Sequence, residues 1–530
     1  MRSTLRLLNR FLSKRAYAIC IFATVIFLVY ATLLSYKSIA GFPTGHFTSA
    51  KWPWLGDKPI GEDGFYALTV SDNFATQHKL IYTYSNYATG IQPLIVIVFS
   101  GIAWCVHAIH LNAWSYIRIL LFFNSVLYVF FCWQIACVAR IFAPPGKIRL
   151  VFLCAFSLAI CSFSLFRLFT YGLETGLYLC CIAELYRRSV HIYEAGRPSW
   201  GDAIAFGAVG GVTGLARIDF GVVFAIILIY FLISKSMDLA RACISGLIAL
   251  LVVSPWFIFI HSASGLWIPS SGYAESGIIT SDSLNRIAFM LYAILLHIAP
   301  WTFDSGRNIS ILFNWASILL LAFMIYRACR MRNLAFFRST FILISIPWVV
   351  GFILLDCIYV IYFWSVHFYS RYSSPLIVFT IPMLALLITS RRNIFRMPIF
   401  AIALLVFAFV VSDYFSLHTG HVGSSQYIAA GYVHQFYSGR RVGSFQSGTE
   451  GYFNRNVDNL DGKLNAAALR ASREHNLSSY IDSANIDVLV DWPGYIHSLP
   501  SSYLNREWRA CSHPMPTVDN ICLVRKTHGR

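Results

Sequence analysis

The chain has 530 residues, of which 57% are hydrophobic and only 12% are charged, and its mean hydropathy is +0.62. This composition excludes a single soluble core and is typical of a polytopic membrane protein. Lys and Arg number 41 against 24 Asp and Glu, but the basic residues form short clusters between apolar segments. Such clusters indicate cytoplasmic loops, so no nucleic-acid partner is expected.

The N-terminal 15 residues carry five basic side chains and precede an apolar run at 16–34. No small-residue cleavage site follows, so we predict an uncleaved first helix and a cytoplasmic N-terminus. If the later basic clusters are also cytoplasmic, one of the two apolar segments 92–111 and 114–138 should not cross the membrane, and we take 92–111, which contains His107 and His110, as an interfacial or re-entrant helix. The same argument applies to 287–303. The other predicted crossings are 114–138, 150–166, 173–186, 203–216, 220–233, 243–260, 309–326, 341–355, 375–389 and 399–416. The total is about 11 transmembrane helices.

The chain becomes polar from residue 417 onward. We therefore predict an all-α membrane part, 1–416, and a small soluble domain, 417–530. An odd number of crossings places this C-terminal domain outside the cytoplasm.

The composition of the C-terminal domain predicts a mixed α/β fold. Segments 438–448 and 486–492 read as strands, and segment 464–475 reads as a helix. Its only cysteines are Cys511 and Cys522. They could form a disulfide in an oxidising compartment or remain two free thiols, because sequence does not give their separation.

The first extracytoplasmic loop, predicted at 37–113, contains an acidic segment in an otherwise apolar part of the chain. Glu62 and Asp63 precede Gly64, Phe65 and Tyr66. The spacing of Asp63 and Tyr66 suggests that the acid lies at the start of a helix, where a carboxylate can also act as a cap. The alternative is that these acids have no special role and are simply the polar residues that a solvent-exposed loop contains.

Polar residues also occur at three other predicted outer junctions between helices. Glu174 lies at one, Arg217 and Asp219 at a second, and Arg371 in a third, just before a crossing. Each could be an interfacial anchor or a snorkelling side chain. An arginine there could also bind phosphate oxygens. Because all these clusters share one side, they predict a cavity at the membrane surface.

Several motifs together resemble the GT-C-fold glycosyltransferases, particularly bacterial relatives of the protein O-mannosyltransferases and the aminoarabinose transferases. The motifs extend over nearly the whole chain. They are EDGFYALTVSDNFA with TGIQPL in the first loop, GLETGLYL, LARIDFG, IPSSG, SRYSSPL, and GYFNRNVDNLDGKLN in the C-terminal domain. The resemblance implies a multi-pass protein of the bacterial inner membrane that transfers a sugar from a polyprenyl phosphate to a glycan, lipid or protein acceptor, with inversion.

The resemblance also implies roles for individual residues. Asp63 would be the general base, and Arg371, or else Arg217, would stabilise the leaving phosphate. Glu174 would line the same cavity and either orient the acceptor or make Asp63 more basic through like-charge proximity.

The remaining predicted substrate contacts are Glu62, Tyr66 and Asp219. No cofactor and no metal are expected, because the chain shows no DxD-type cation site. A transporter or flippase, and a polymerase or ligase of lipid-linked saccharides, are the alternatives.

Overall fold

The structure is a computed structural model. It describes residues 17–22, 24, 60–83, 87–276, 283–299, 314–315, 319, 340–363, 366–390, 424–516 and 519–526. The predicted crossing 399–416, almost all of 309–326, most of 16–34, and the predicted domain boundary at 416/417 lie outside the described residues.

Apart from two isolated β-bridges, Ile81–Tyr87 and Ser276–Phe363, the regular secondary structure in the described residues of the membrane part is helical. Its helices are α1 (Glu62–Gln77), α2 (Pro93–Ala108), α3 (Ala113–Ile141), α4 (Ile148–Ile160), α5 (Phe163–Thr170), α6 (Thr175–Ala195), α7 (Trp200–Ala216), α8 (Phe220–Ile233), α9 (Leu239–Ser264), α10 (Ser270–Glu275), α11 (Ser283–Ile298), α12 (Thr340–Tyr362), α13 (Tyr369–Ser373) and α14 (Ile377–Ser390). Several begin at side-chain caps: Asn112 Oδ1 accepts from Ser115 N at 2.9 Å, and Asp238 Oδ1 accepts from Arg241 N at 2.9 Å. These caps satisfy backbone donors that a helix start otherwise leaves free.

Among the described residues, four helices are long and apolar enough to cross a membrane. They are Ser115–Ile141, Leu239–Ser264, Thr340–Tyr362 and Tyr369–Thr389, and a bent helix pair that includes α4 would make a fifth. The chain is thus a membrane protein, while the count of about 11 crossings stays a prediction.

Two segments predicted not to cross the membrane form short helices. Both α2 and α11 have 16 residues, so each extends about 24 Å at 1.5 Å per residue, less than the hydrocarbon thickness of about 30 Å. α2 begins directly after Gln92, with Pro93 at its first position. The helix thus begins at the start of the predicted segment 92–111.

Glycines bring α7 close to its neighbours. A Cβ at Gly211 would lie 2.6 Å from Val252 of α9, and one at Gly210 would lie 2.5 Å from Phe224 of α8. Small residues at such positions let helix backbones approach closely. The adjacent glycines Gly210 and Gly211 therefore serve the packing of α7 against α8 and α9.

The C-terminal domain folds around a five-stranded mixed sheet in the order β2-β1-β3-β5-β4. β1 is parallel to β2 and β3, whereas β5 is antiparallel to β3 and β4. Its elements are α15 (Ser424–Tyr437), β1 (Val442–Ser444), α16 (Gly448–Phe453), β2 (Val457–Asn459), α17 (Ala466–Arg473), α18 (Leu477–Ser483), β3 (Val488–Asp491), α19 (Pro493–Ile496), α20 (Ser501–Glu507), β4 (Trp508–Ala510) and β5 (Ile521–Arg525). The predicted strands and helix correspond to β1, β3 and α17, so the mixed α/β character is confirmed.

A disulfide joins Cys511 to Cys522, whose Cα atoms are 5.5 Å apart. Cys522 lies in β5, and the backbone N–H of Cys511 donates to the Cys522 carbonyl at 3.1 Å. The bond therefore closes the end of the β4–β5 hairpin. Of the two possibilities that the sequence left open, the structure shows the disulfide.

The C-terminal domain packs directly on the membrane part, with backbone against backbone. A Cβ at Gly90 would lie 1.9 Å from the Lys463 carbonyl oxygen, and one at Gly448 would lie 2.2 Å from the Glu62 carbonyl oxygen. Tyr82 also donates a hydrogen bond to the Ser447 carbonyl. The absence of a side chain at these glycines sets the distance between the two parts.

We expect Gly90→Ala to destabilise the protein by about 1–3 kcal/mol, because the methyl group must displace backbone that has little room to move. Gly494→Ala is the matched control, since a Cβ there meets nothing within 4 Å. Thermal unfolding in detergent micelles measures both variants. Equal midpoints for the two variants would show that the Gly90 contact is not tight.

Candidate functional site

A cavity of about 410 Å³ lies where several helices of the membrane part end against the C-terminal domain. Its wall includes the first turn of α1, the start of α2, the α7–α8 junction, α10, α13 and the loop after β2. Six of the seven predicted site residues line it, and Glu62 is the exception. The six are Asp63, Tyr66, Glu174, Arg217, Asp219 and Arg371.

Arg217 occupies the α7–α8 junction, where its side chain is buried and surrounded by acceptors. It donates to Glu174 at 3.1 Å, to Asp219 at 3.2 and 2.5 Å, and to the Tyr359 hydroxyl at 2.7 Å. Tyr359 in turn donates to Asp219. A buried guanidinium needs such partners because desolvation of an unpaired charge costs several kcal/mol. Its hydrogen-bonding capacity is thus largely used within the protein.

Asp219 stays ionised because of this network. Burial acts to raise its pKa, but the adjacent Arg217 guanidinium outweighs burial and holds the pKa below its ordinary value. A residue of another helix also holds the α7–α8 junction in place, because the backbone N–H of Ile218 donates a hydrogen bond to the Gln92 side chain at 3.2 Å. Gln92 therefore connects the start of α2 to the Arg217 network.

Arg371 is held much less tightly than Arg217. Its closest carboxylate contact is Glu174, at 3.9 Å. Its guanidinium carbon lies 4.6 Å from the Phe368 ring centre and 5.3 Å from that of Tyr372. Among the described residues its buried Nε atom has no hydrogen-bond partner. Arg371 is therefore a positively charged group on the cavity wall with donor capacity left for an anion.

Asp63 lies in the first turn of α1, directly after Glu62 and two residues after the cap residue Gly61. The prediction that this acid is at a helix start is confirmed. Its Oδ1 atom is 3.8 Å from Lys463 Nζ, an atom that reaches the cavity from the C-terminal domain. The same ammonium is 3.0 Å from Glu275 at the end of α10.

Tyr66 lies one helical turn after Asp63 and joins the cavity to the C-terminal sheet. Its hydroxyl donates to the Phe445 carbonyl at 3.3 Å and accepts from Asn459 at 3.4 Å. The ring contributes to the cavity wall while the hydroxyl faces the domain contact. Its predicted role in substrate binding stays a prediction.

Glu62 points away from the cavity and holds α16. Its carboxylate accepts from the Thr449 backbone N–H at 3.1 Å and from the Thr449 hydroxyl at 2.5 Å. Burial raises the pKa of Glu62 to about 8, against the lowering effect of these two hydrogen bonds. The structure thus gives Glu62 a position in the domain contact, and no contact with substrate follows from it.

Sequence reasoning did not find Lys463 and Glu275. Lys463 lies within the motif GYFNRNVDNLDGKLN and Glu275 lies three residues after the motif IPSSG, but neither was singled out. A lysine in a soluble domain and a glutamate in a polar loop are too common to stand out alone. The signal that could have found Lys463 is its position in a Gly-containing turn between the strand β2 and the helix α17.

No group of three or more His, Cys, Asp or Glu side chains is placed to hold a metal ion in the part of the chain that the structure describes. The charges on the cavity wall instead alternate in sign. The acids are Asp63, Glu174, Asp219 and Glu275, and the cations are Arg217, Arg371 and Lys463. Independence from metal stays a prediction.

No protein-family model matches the chain, and no curated protein matches its sequence. Among solved structures it is similar to the Archaeoglobus fulgidus oligosaccharyltransferase tethered to an acceptor peptide, with 11% identity, a TM-score of 0.49, and coverage of 92% of this chain and 72% of that one. It is also similar to ArnT from Cupriavidus metallidurans bound to undecaprenyl phosphate, with 12% identity, a TM-score of 0.43, and coverage of 95% and 98%. Both neighbours are GT-C-fold, polyprenyl-phosphate-dependent glycosyltransferases, the group that the sequence motifs resemble.

The raised pKa of Glu62 predicts a pH dependence of stability. The folded protein keeps a proton on Glu62 that the unfolded chain releases above about pH 4.5, so the free energy of unfolding falls as pH rises toward 8. In Glu62→Gln this contribution is absent, and we expect the unfolding midpoint to fall less between pH 5 and pH 8.5 than in the wild type. Glu194→Gln, which changes an exposed glutamate of α6, is the control. The same pH dependence in wild type and Glu62→Gln would contradict this account.

Proposed function

We propose that this protein is a membrane glycosyltransferase that moves a single sugar from a polyprenyl-phosphate donor to an acceptor at the extracytoplasmic face of the bacterial inner membrane. The acceptor is a glycan, a lipid or a protein, and the C-terminal domain lies on the same side as the site. The donor is a substrate, and neither a cofactor nor a metal is needed.

One observation carries the proposal: a carboxylate at a helix start and an arginine with unused donor capacity line the same cavity. Asp63 supplies the carboxylate and Arg371 the arginine. The cavity wall also includes Phe257, Ile268 and Phe363. A lipid-linked sugar has a negatively charged phosphate between a polar ring and an apolar tail, so it needs a cation beside apolar surface. This cavity offers both.

The reaction needs one base and one anion-stabilising group. Asp63 takes the proton of the acceptor hydroxyl as the hydroxyl oxygen forms a bond to the anomeric carbon. The bond from that carbon to the phosphate oxygen breaks, and its electron pair leaves with the polyprenyl phosphate. Arg371 stabilises the negative charge on this leaving group, which therefore needs no added proton. Attack opposite the leaving group inverts the anomeric centre.

Arg371 is a better phosphate ligand than Arg217. Arg217 already donates to Glu174, Asp219 and Tyr359, and release from these partners would leave buried charges unpaired. Glu174 bonds to Arg217 and also lies 3.9 Å from Arg371. We therefore assign Glu174 and Asp219 the task of positioning the two arginines, in place of a direct contact with the acceptor.

The direct test is transfer by Asp63→Asn in proteoliposomes with radiolabelled polyprenyl-phosphate sugars. Removal of a general base lowers rates by about 10²–10⁴-fold, and we expect a loss in this range. Glu194→Gln, which changes an exposed carboxylate in the last turn of α6, about 30 Å along the helix from Glu174, should transfer at the wild-type rate. Normal transfer by Asp63→Asn in correctly inserted protein would show that the mechanism is wrong.

The same assay separates the alternative functions. A polymerase would yield products with several added units, whereas the proposal predicts one sugar per acceptor. A flippase would move donor across the bilayer without consuming it. The acid and base chemistry of the cavity has no use in such transport, so Asp63→Asn should leave transport intact.

A further inference from the structure

Lys463 is the one basic residue of the loop after β2, and its side chain forms part of the cavity wall. Its side chain is largely buried, with 16% of its surface exposed. Three carboxylates lie within 4 Å of its ammonium: Glu275 at 3.0 Å, Asp63 at 3.8 Å and Asp461 at 3.9 Å. Two of the three belong to the membrane part and one to the C-terminal domain.

The backbone of Lys463 is fixed independently of its side chain. Its carbonyl accepts from the Ser270 hydroxyl at 2.6 Å, and Thr89 donates to that hydroxyl at 3.1 Å. Its N–H donates to Asp461 at 2.8 Å, and Gly90 packs against its carbonyl. A change of side chain at 463 therefore leaves the loop in place.

We propose that the C-terminal domain is part of the active site, and that Lys463 is a positioning residue whose ammonium holds the Asp63 carboxylate in the direction of the acceptor. This inference rests on the proposed function, in which Asp63 is the base. It makes the docked C-terminal domain a requirement of the reaction and gives Glu275 the task of holding the Lys463 ammonium from the opposite side.

The distances support this role. The Lys463 ammonium and the Asp63 carboxylate are 3.8 Å apart, so their opposite charges attract and limit the directions in which the carboxylate points. Yet Lys463 lies closer to Glu275 than to Asp63, so its contact with Asp63 is loose enough to yield when the base takes a proton. Burial acts to lower the pKa of Lys463, but the surrounding acids outweigh it and raise that pKa, which keeps the ammonium charged.

Other charged and titratable groups also face Asp63, and each adds to its electrostatic environment. Negative or neutral groups come from α1 itself, from the segment before α6, from α10 and from the loop after β2, and a positive group comes from α13. These groups are Glu62, Tyr66, Tyr171, Glu275, Asp461 and Arg371, in addition to Lys463. Lys463 and Arg371 are the cations among them.

The test compares pH–rate profiles of kcat/KM for the wild type, Lys463→Met and Glu275→Gln. Loss of the ammonium should move the acid limb upward by about 1–3 pH units, while the rate at the alkaline end stays within about threefold of the wild type. Loss of the Glu275 charge should move the limb the other way, to lower pH. Lys463→Arg should restore the wild-type limb, and Lys79→Met, which removes an exposed lysine just after α1, should leave it unchanged.

Opposite shifts separate an electrostatic role from a structural one. If Lys463 and Glu275 only fasten the domain, both variants lose activity at every pH and the limb stays in place. Limbs that do not move, or that move in the same direction, overturn the inference.

A readout that needs no catalysis distinguishes failure of this inference from failure of the proposed function. A water-soluble carbodiimide modifies protonated carboxyl groups, and mass spectrometry of the α1 peptide reports modification of Asp63. At pH 5 we expect more modification than in the wild type for Lys463→Met and less for Glu275→Gln. These changes without any sugar transfer would uphold the Lys463 contact and reject the proposed function. If Asp63→Asn loses transfer but Lys463→Met and Glu275→Gln are modified like the wild type, the proposed function stands and the role of Lys463 is rejected.

Discussion

Arg217 is buried among helix ends, and its charge is stable there only because Glu174, Asp219 and Tyr359 surround the guanidinium. Each partner belongs to a different part of the chain: the start of α6, the start of α8 and the last turn of α12. The need to pair a desolvated charge therefore fixes these helix ends relative to one another. The cavity lies where these helix ends meet, so the pairing of Arg217 also fixes the positions of the residues in the cavity wall.

This arrangement also decides which cation is available to a ligand. Arg217 is occupied by its partners, whereas Arg371 lies beside the same Glu174 at 3.9 Å with an unpartnered Nε. Two arginines that look alike in the sequence thus have different chemical tasks. One holds the site together, and the other faces the anion that the proposed reaction releases.

The second constraint is the close contact between the membrane part and the C-terminal domain. Gly90 and Gly448 allow backbone atoms of the two parts to come close together. The carboxyl group of Glu62 accepts a hydrogen bond from the Thr449 backbone N–H at the start of α16. This contact brings Lys463 within reach of Asp63. The C-terminal domain is therefore built into the wall of the cavity.

Sequence alone predicted the class of fold and much of the cavity, because polar residues at the ends of apolar helices are few and costly to bury. Asp63, Arg217 and Arg371 were found in this way. The sequence did not point to Lys463 and Glu275, because their position at the cavity results from a tertiary contact between distant segments. It distinguished Asp63 as the base but also counted Glu62 as a substrate contact, and only the packing of α16 shows that Glu62 faces away from the cavity.

The central claim is that Arg371 binds the phosphate of a polyprenyl-phosphate substrate in this cavity. Native mass spectrometry of the purified protein titrated with undecaprenyl phosphate measures that binding directly. Arg371→Gln should bind the lipid at least about tenfold more weakly than the wild type, since a hydrogen bond to a charged group contributes about 1.5–3 kcal/mol. Arg509→Gln, which changes an exposed arginine of β4, should bind as the wild type does. Equal affinity of Arg371→Gln and the wild type would contradict the account.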